Sequence, residues 1–157
     1  MSTEFLSAES VDLSDKRIFV VASTYNEKYT TALLENCLEE LHRLAPSAEV
    51  EVLRVPGAFE VPMMVNYVLE RKIVHAIIAL GVILRGSTAH ADLIGTAITN
   101  ELLRSACRTL TPIIHEVLLL NNEQQAEERC MGSKLNRGIE SARAAVSMLK
   151  TLIRQKR

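Results

Sequence analysis

His90 is the residue whose type and setting promise chemistry. It stands in Leu80-Gly81-Val82-Ile83-Leu84-Arg85-Gly86-Ser87-Thr88-Ala89-His90-Ala91-Asp92, where an apolar strand runs straight into a helix start crowded with small and polar residues. Glycines at 81 and 86 would let backbone approach a ligand, and Ser87, Thr88 and the first free amides of the helix can donate to phosphate. An imidazole titrating near neutrality, one turn into that helix and beside such a cradle, can act as general acid and general base. The same residue types also make an ordinary polar helix cap.

The elements that must position these groups are legible in the pattern along the chain. Arg17 to Thr24 is a short β-branched run, and Glu27 to Arg43 follows it with Leu33, Leu34, Cys37, Leu38 and Leu41 on one helical stripe. Glu49 to Val55 alternates charged and apolar residues like a half-exposed edge strand. Pro56-Gly57 breaks it, and helical spacing resumes from Phe59 to Lys72, with Pro62 tolerable only in the first turn. His75 to Leu80 is continuously apolar, as expected of a strand covered on both faces, and Ala91 to Arg108 places Ile94, Ala97, Ile98, Leu102 and Ala106 along one face. Pro112 to Leu120 makes a fourth strand. Helices from about Asn122 to Cys130 and from Arg137 to Arg154 complete the chain, the last with Ile139, Ala142, Val146, Leu149 and Leu152 inward.

Four strands alternating with helices imply an α/β protein: a three-layer α/β/α sandwich, flavodoxin-like, with a four-stranded parallel sheet and helices on both faces. Ligands in such sheets sit at the carboxyl ends of the strands. Thr24-Tyr25-Asn26, Val55 to Glu60 and Arg85 to Asp92 all fall at such ends, so one cleft could hold all three segments.

Composition narrows the class of function. The 157 residues suit one domain, read as residues 16–157 behind a flexible N-terminal arm, residues 1–15. Hydrophobic residues make up 48% but aromatics only 4%, which predicts a core of Val, Ile, Leu and Ala. A formal net charge of -1 gives no pull toward nucleic acid or an acidic membrane, so a small-molecule or protein partner is expected. Cys37, Cys107 and Cys130 lack C-x-x-C spacing and lie in helical stretches, which reads as free thiols in a reducing compartment. The first sixteen residues lack the basic and apolar regions of a leader, and Ala76 to Leu84 is too short to span a bilayer, so the expected location is the cytoplasm.

Three segments carry a resemblance to a known family. Val55 to Pro62 (VPGAFEVP), Ala79 to Asp92 (ALGVILRGSTAHAD), and Glu128-Arg129 followed by Asn136-Arg137-Gly138 occur in the order and spacing of the 6,7-dimethyl-8-ribityllumazine synthases, which this chain resembles from about Lys16 to its end. The resemblance implies a transferase of riboflavin biosynthesis. It would condense 5-amino-6-(D-ribitylamino)uracil with 3,4-dihydroxy-2-butanone 4-phosphate, losing phosphate and two waters, with no metal and no redox cofactor.

Roles follow from the resemblance residue by residue. His90 would shuttle protons, oriented by Asp92 or a nearby main-chain group. Tyr25 would stack on the pyrimidine, and Glu60 would bind ribityl hydroxyls beside Ala58 and Phe59. Main-chain groups of Val82, Ile83 and Leu84 would meet the pyrimidine edge. Arg129 would hold phosphate, completed by Ser87 and Thr88, since a guanidinium fork suits bidentate contact. His115 departs from the family, which commonly has an aromatic residue covering the ring there. Met131 to Gly138 departs too, with the family's first lysine shifted and Arg137 in place of the later one.

His115 lies near the start of its strand while the other site segments lie at strand ends, roughly 20 Å away along a strand of about seven residues. One subunit would not then assemble the site alone. The resemblance implies a homo-oligomer, a pentamer, decamer or icosahedral 60-mer, in which one subunit supplies Tyr25, Glu60 and His90 and its neighbour supplies His115 and Arg129. Two other readings use the same fold: a non-catalytic binding or shell-forming protein, against which stand His90, Arg129 and Glu60, and a flavin or nucleotide binder, against which stands the absence of G-x-G-x-x-G and G-x-x-x-x-G-K-[ST].

Overall fold

Four parallel strands, β1 (Arg17–Ser23), β2 (Glu49–Val55), β3 (Ala76–Leu84) and β4 (Ile113–Leu120), form one sheet in the order β2-β1-β3-β4. The computed structural model describes residues 9–155. Helices α1 (Glu27–Leu44), α2 (Val61–Arg71), α3 (His90–Thr109), α4 (Glu123–Cys130) and α5 (Arg137–Gln155) cover both faces, giving the three-layer flavodoxin-like arrangement expected of the pattern.

Period-two alternation along β1 divides the core in two. Ile18, Val20 and Ala22 point into a layer filled by Leu33, Cys37 and Leu41 of α1 and Ala142, Ala145 and Val146 of α5. Phe19 and Val21 point the other way, against Val61, Val65 and Val68 of α2 and Ile98 and Leu102 of α3. β3 is buried from Ala76 to Val82, as a central strand covered on both faces should be, and β2 at the edge alternates exposed and half-buried residues. Strand order reverses between β1 and β3, which opens a crevice where their carboxyl ends diverge.

Several local expectations shift. β3 runs on to Leu84 rather than ending near Leu80, because Gly81 to Leu84 pair with Val117 to Leu120. Ala58–Glu60 form a single 3₁₀ turn ahead of α2, so the helix itself opens at Val61 with Pro62 in its first turn. On α3 the inward row is Ala91, Ile98, Leu102 and Ser105, and Ala97 is exposed. Residues 1–8 of the expected arm lie outside the described residues. From Glu9 onward the segment is held down: Lys150 Nζ donates to the Glu9 carbonyl at 3.1 Å, Val11 N–H donates to the Leu44 carbonyl at 2.8 Å, and Leu13 is fully buried. Among the described residues no helix is long and apolar enough to cross a membrane.

Candidate active site

A cleft of about 490 Å³ opens at the carboxyl ends of the strands and gathers all three predicted segments. Tyr25 and Asn26 enter from the end of β1, Gly57, Ala58 and Phe59 from the turn after β2, and Val82, Ile83, Leu84, Gly86, Thr88 and His90 from β3 and the start of α3. The turns are tied to one another by main-chain bonds. Thr24 N–H donates to the Val55 carbonyl at 2.8 Å and Tyr25 N–H to the Pro56 carbonyl at 2.9 Å, which joins the β1 and β2 turns.

Asn26 fixes the third side. Its backbone is left-handed, with φ of 58°, a conformation that asparagine tolerates better than most residues, and its Nδ2 donates to the Val82 carbonyl at 2.8 Å. This leaves Tyr25 projecting into solvent at 73% exposure and Phe59 at 64%, two aromatic rings at the cleft largely uncovered by the described residues. Exposed rings of this size suit stacking on a flat apolar ligand.

His90 is the first residue of α3 rather than one turn in, so its exposed imidazole sits level with the free amides of the helix start. Asp92 does not orient it. The Asp92 carboxylate instead accepts from Arg85, at 3.2 Å from Nε and 2.5 Å from the terminal nitrogen. Gly81 also has a different role from the one expected: a Cβ there would come within 3.1 Å of both Ser23 Oγ and Val117 Cγ1, so the glycine serves packing under the cleft floor. At Gly86 a Cβ would meet nothing within 4 Å.

The remaining expected residues lie off the cleft of the single chain. Glu60 turns its carboxylate back to accept from Gly57 N–H at 2.9 Å, capping the 3₁₀ turn. Ser87 is exposed in the same loop without lining the cavity. His115 pairs in register with Ala79, three to five residues short of Val82 to Leu84, which corresponds to about 10–17 Å along the strand. Its Nδ1 accepts from Val117 N–H at 3.2 Å and its Nε2 lies 2.8 Å from Thr99 Oγ1, which donates to the Gly95 carbonyl at 2.8 Å. That chain of bonds selects the neutral ring with its proton on Nε2, and burial pulls the imidazole below its ordinary value of 6.5. Arg129 stands on α4, its nearest carboxylate that of Glu128 at 3.9 Å.

Ile94 lines the cleft from outside the three predicted segments, and Asn26, Gly57 and Ala91 line it from within them without having been given a role of their own. Ile94 shares a helix face with His90 at i+4, and the αL tolerance of Asn is a turn signal, so both were open to reading. A larger cavity, about 610 Å³, lies at the opposite, amino-terminal end of the strands between Leu110, Leu149, Leu152 and Ile153, and holds none of the predicted site residues. Burial raises the thiols of Cys37 and Cys130 to about 12, which keeps both as inert packing groups.

Comparison with known proteins shows the family. Residues 15–152 match the family described as 6,7-dimethyl-8-ribityllumazine synthase. The 6,7-dimethyl-8-ribityllumazine synthase of Thermus thermophilus is 35% identical over 137 residues, covering 87% of each chain. That of Streptomyces coelicolor is 36% identical over 143 residues, covering 90% of this chain and 88% of its own, and that of Chlorobium limicola is 36% identical over 141 residues, covering 89% and 91%. Matched over nearly its whole length, and with one cleft at the sheet's switch point formed from the segments that carry the likeness, the chain belongs to the 6,7-dimethyl-8-ribityllumazine synthase family.

Proposed function

We propose that this chain catalyses the formation of 6,7-dimethyl-8-ribityllumazine from 5-amino-6-(D-ribitylamino)uracil and 3,4-dihydroxy-2-butanone 4-phosphate, in the cytoplasm, as a step of riboflavin biosynthesis. The observation that carries the reading is the meeting of Tyr25, Phe59, Thr88 and His90 in one cleft of a chain that matches the family from residue 15 to residue 152.

Tyr25 and Phe59 offer apolar faces for the pyrimidine, and the main chain at Val82, Ile83 and Leu84 meets its polar edge. Ala58 lies alongside, and Glu60 faces the ribityl hydroxyls once its carboxylate leaves Gly57. Ser87, Thr88 and the α3 amides take the phosphate of the second substrate, as helix starts do. Imine formation, loss of phosphate and ring closure each move a proton, and His90 at the mouth of the helix gives and takes it.

The rest of the site comes from a second copy of the chain. His115 and Arg129 stand off the cleft of their own subunit, and a homo-oligomer in which each cleft faces a neighbour's β4 and α4 delivers both. A head-to-tail contact of this kind makes a closed ring where its rotation allows, and the family resemblance makes that ring a pentamer, alone or in a decamer or 60-mer.

The test mixes purified protein with both substrates and follows lumazine fluorescence and phosphate release together. Wild type should accelerate both signals, and the His90→Ala, Arg129→Ala double variant should lose at least about 100-fold of the gain. Wild-type rates at the uncatalysed background would leave the fold with a binding role instead.

A further inference from the structure

The loop from Gly86 to Ala89 has little of its own to hold it. No side chain caps the start of α3, and all four residues are exposed. Yet the loop must present fixed donors if it is to receive a phosphate. What spans it is Arg85. The backbone of this residue is anchored in the sheet, its N–H donating to the Leu120 carbonyl at 2.8 Å. Its guanidinium reaches forward across the loop, with Nε at 3.2 Å and Nη2 at 2.5 Å from the same oxygen of Asp92 in the first turn of α3. The remaining nitrogen, Nη1, donates to the side-chain oxygen of Asn121.

Asn121 is placed for more than an anchor. It precedes α4, its N–H donates to Gln125 Oε1 at 2.9 Å, and its neighbour Asn122 caps that helix by accepting from Gln125 N–H at 2.9 Å. One guanidinium therefore ties together the end of β3, the start of α3 and the start of α4. The first two flank the loop that carries Ser87, Thr88 and His90. The third begins the helix that carries Arg129.

We infer that Arg85 is a positioning residue: through Asp92 and Asn121 it holds the phosphate-facing loop of its own cleft and the Arg129-bearing helix in fixed relation to the sheet. The inference rests on the functional reading above for the meaning of "phosphate-facing", but the clamp itself is a statement about the loop. A planar fork with three donating nitrogens can serve two acceptors at once, whereas an ammonium is a single point of attachment, so lysine should restore only part of the effect. In an oligomer whose clefts lie between subunits, the same side chain would serve two adjacent sites, its own through the loop and the neighbour's through α4.

The experiment uses the full assembled protein with Arg85→Ala, Arg85→Lys, Asp92→Ala and Asn121→Ala. Amide hydrogen exchange without substrate should be at least about tenfold faster across residues 93–97, the first amides of α3 that donate within the helix, in Arg85→Ala and Asp92→Ala, intermediate in Arg85→Lys, and unchanged in β1 and β2. Steady-state kinetics should show the KM for the butanone phosphate raised about tenfold or more in the same order, with the KM for the pyrimidine within about twofold. Asn121→Ala should slow the enzyme at low phosphate substrate with less effect on exchange across residues 93–97. Unchanged exchange across residues 93–97 in Arg85→Ala overturns the clamp. So does an equal rise in both KM values, which would mean a general loss of structure. If Arg85→Ala does not assemble, Arg85→Lys and Asn121→Ala carry the same two readouts. A wild type that makes no lumazine sinks the functional reading alone, since the exchange experiment still decides the clamp.

Discussion

Gly86 and Gly81 sit five residues apart in the same strand-to-helix junction and answer to different constraints. A methyl group at Gly81 would press on Ser23 and Val117 within the fold, but at Gly86 it would enter open space beside His90 and Thr88. Gly86→Ala should therefore leave thermal stability within about 0.5 kcal/mol of wild type. If the cleft takes phosphate there, the added methyl meets the ligand rather than the protein, and the KM for the butanone phosphate should rise about three- to tenfold. Calorimetry beside initial rates checks both halves, and a stability loss without a KM change would place the constraint in the backbone. His115 illustrates the opposite case, a residue whose chemistry is set by its surroundings. Val117 N–H bonds to one ring nitrogen, Thr99 lies against the other, and burial disfavours the cation, so the side chain stands as a neutral ring.

At the scale of the element, β4 is the strand on which the two core layers and the site make competing demands. Its odd-numbered residues His115 and Val117 face α3, and Glu116 faces the layer between α1, α4 and α5. The groups around it are Arg137 and Glu140 of α5, Cys37 of α1 and Cys130 of α4. Burial raises its carboxyl from 4.5 to about 7, with Arg137 opposing and Glu140 adding to the rise. The folded protein therefore holds a proton that the unfolded chain releases above pH 4.5. Stability from this group is full below pH 4.5 and is lost as pH rises through about 7. Glu116→Gln should accordingly be more stable than wild type at pH 8, by about 1–3 kcal/mol, with the gap closing below pH 4.5. Denaturant melts at the two pH values measure it. Glu40 shows the reverse sign: Arg43 and Arg143 hold it at about 2, so its contribution is present above pH 4.5 and fades as pH falls toward 2.

At the scale of the whole molecule, the single chain keeps Arg129 apart from its cleft, and the function proposed above needs a neighbour to bring the two together. Tyr25, Phe59 and His90 stand around one cleft, and Arg129 stands on the helix beyond β4, at the edge of the sheet. Subunit complementation follows from that division. His90→Ala and Arg129→Ala protein, each inactive alone, should recover activity when unfolded together and reassembled, because roughly a quarter of randomly formed interfaces would pair an intact His90 with an intact Arg129. No recovery in assembled mixtures would place both residues in the same subunit's site.

The sequence by itself determined what depends on neighbouring residues. Hydrophobic periods two and 3.6 mark β1, α1, β2 and α5 nearly to the residue, and the small, polar run from Gly86 to His90 marks a helix start that lies at the cleft, because turn chemistry and periodicity are written within a few positions. The tertiary structure alone decided partners. Nothing local tells β3 to continue to Leu84; its pairing with β4 does. Nothing local sends Asp92 to Arg85 rather than toward His90, Glu60 back to Gly57 as against out into the cleft, or Gly81 under Ser23 and Val117. Those choices are made by elements that lie far apart in the chain and meet only when the sheet closes, and the cleft takes its shape from where they meet.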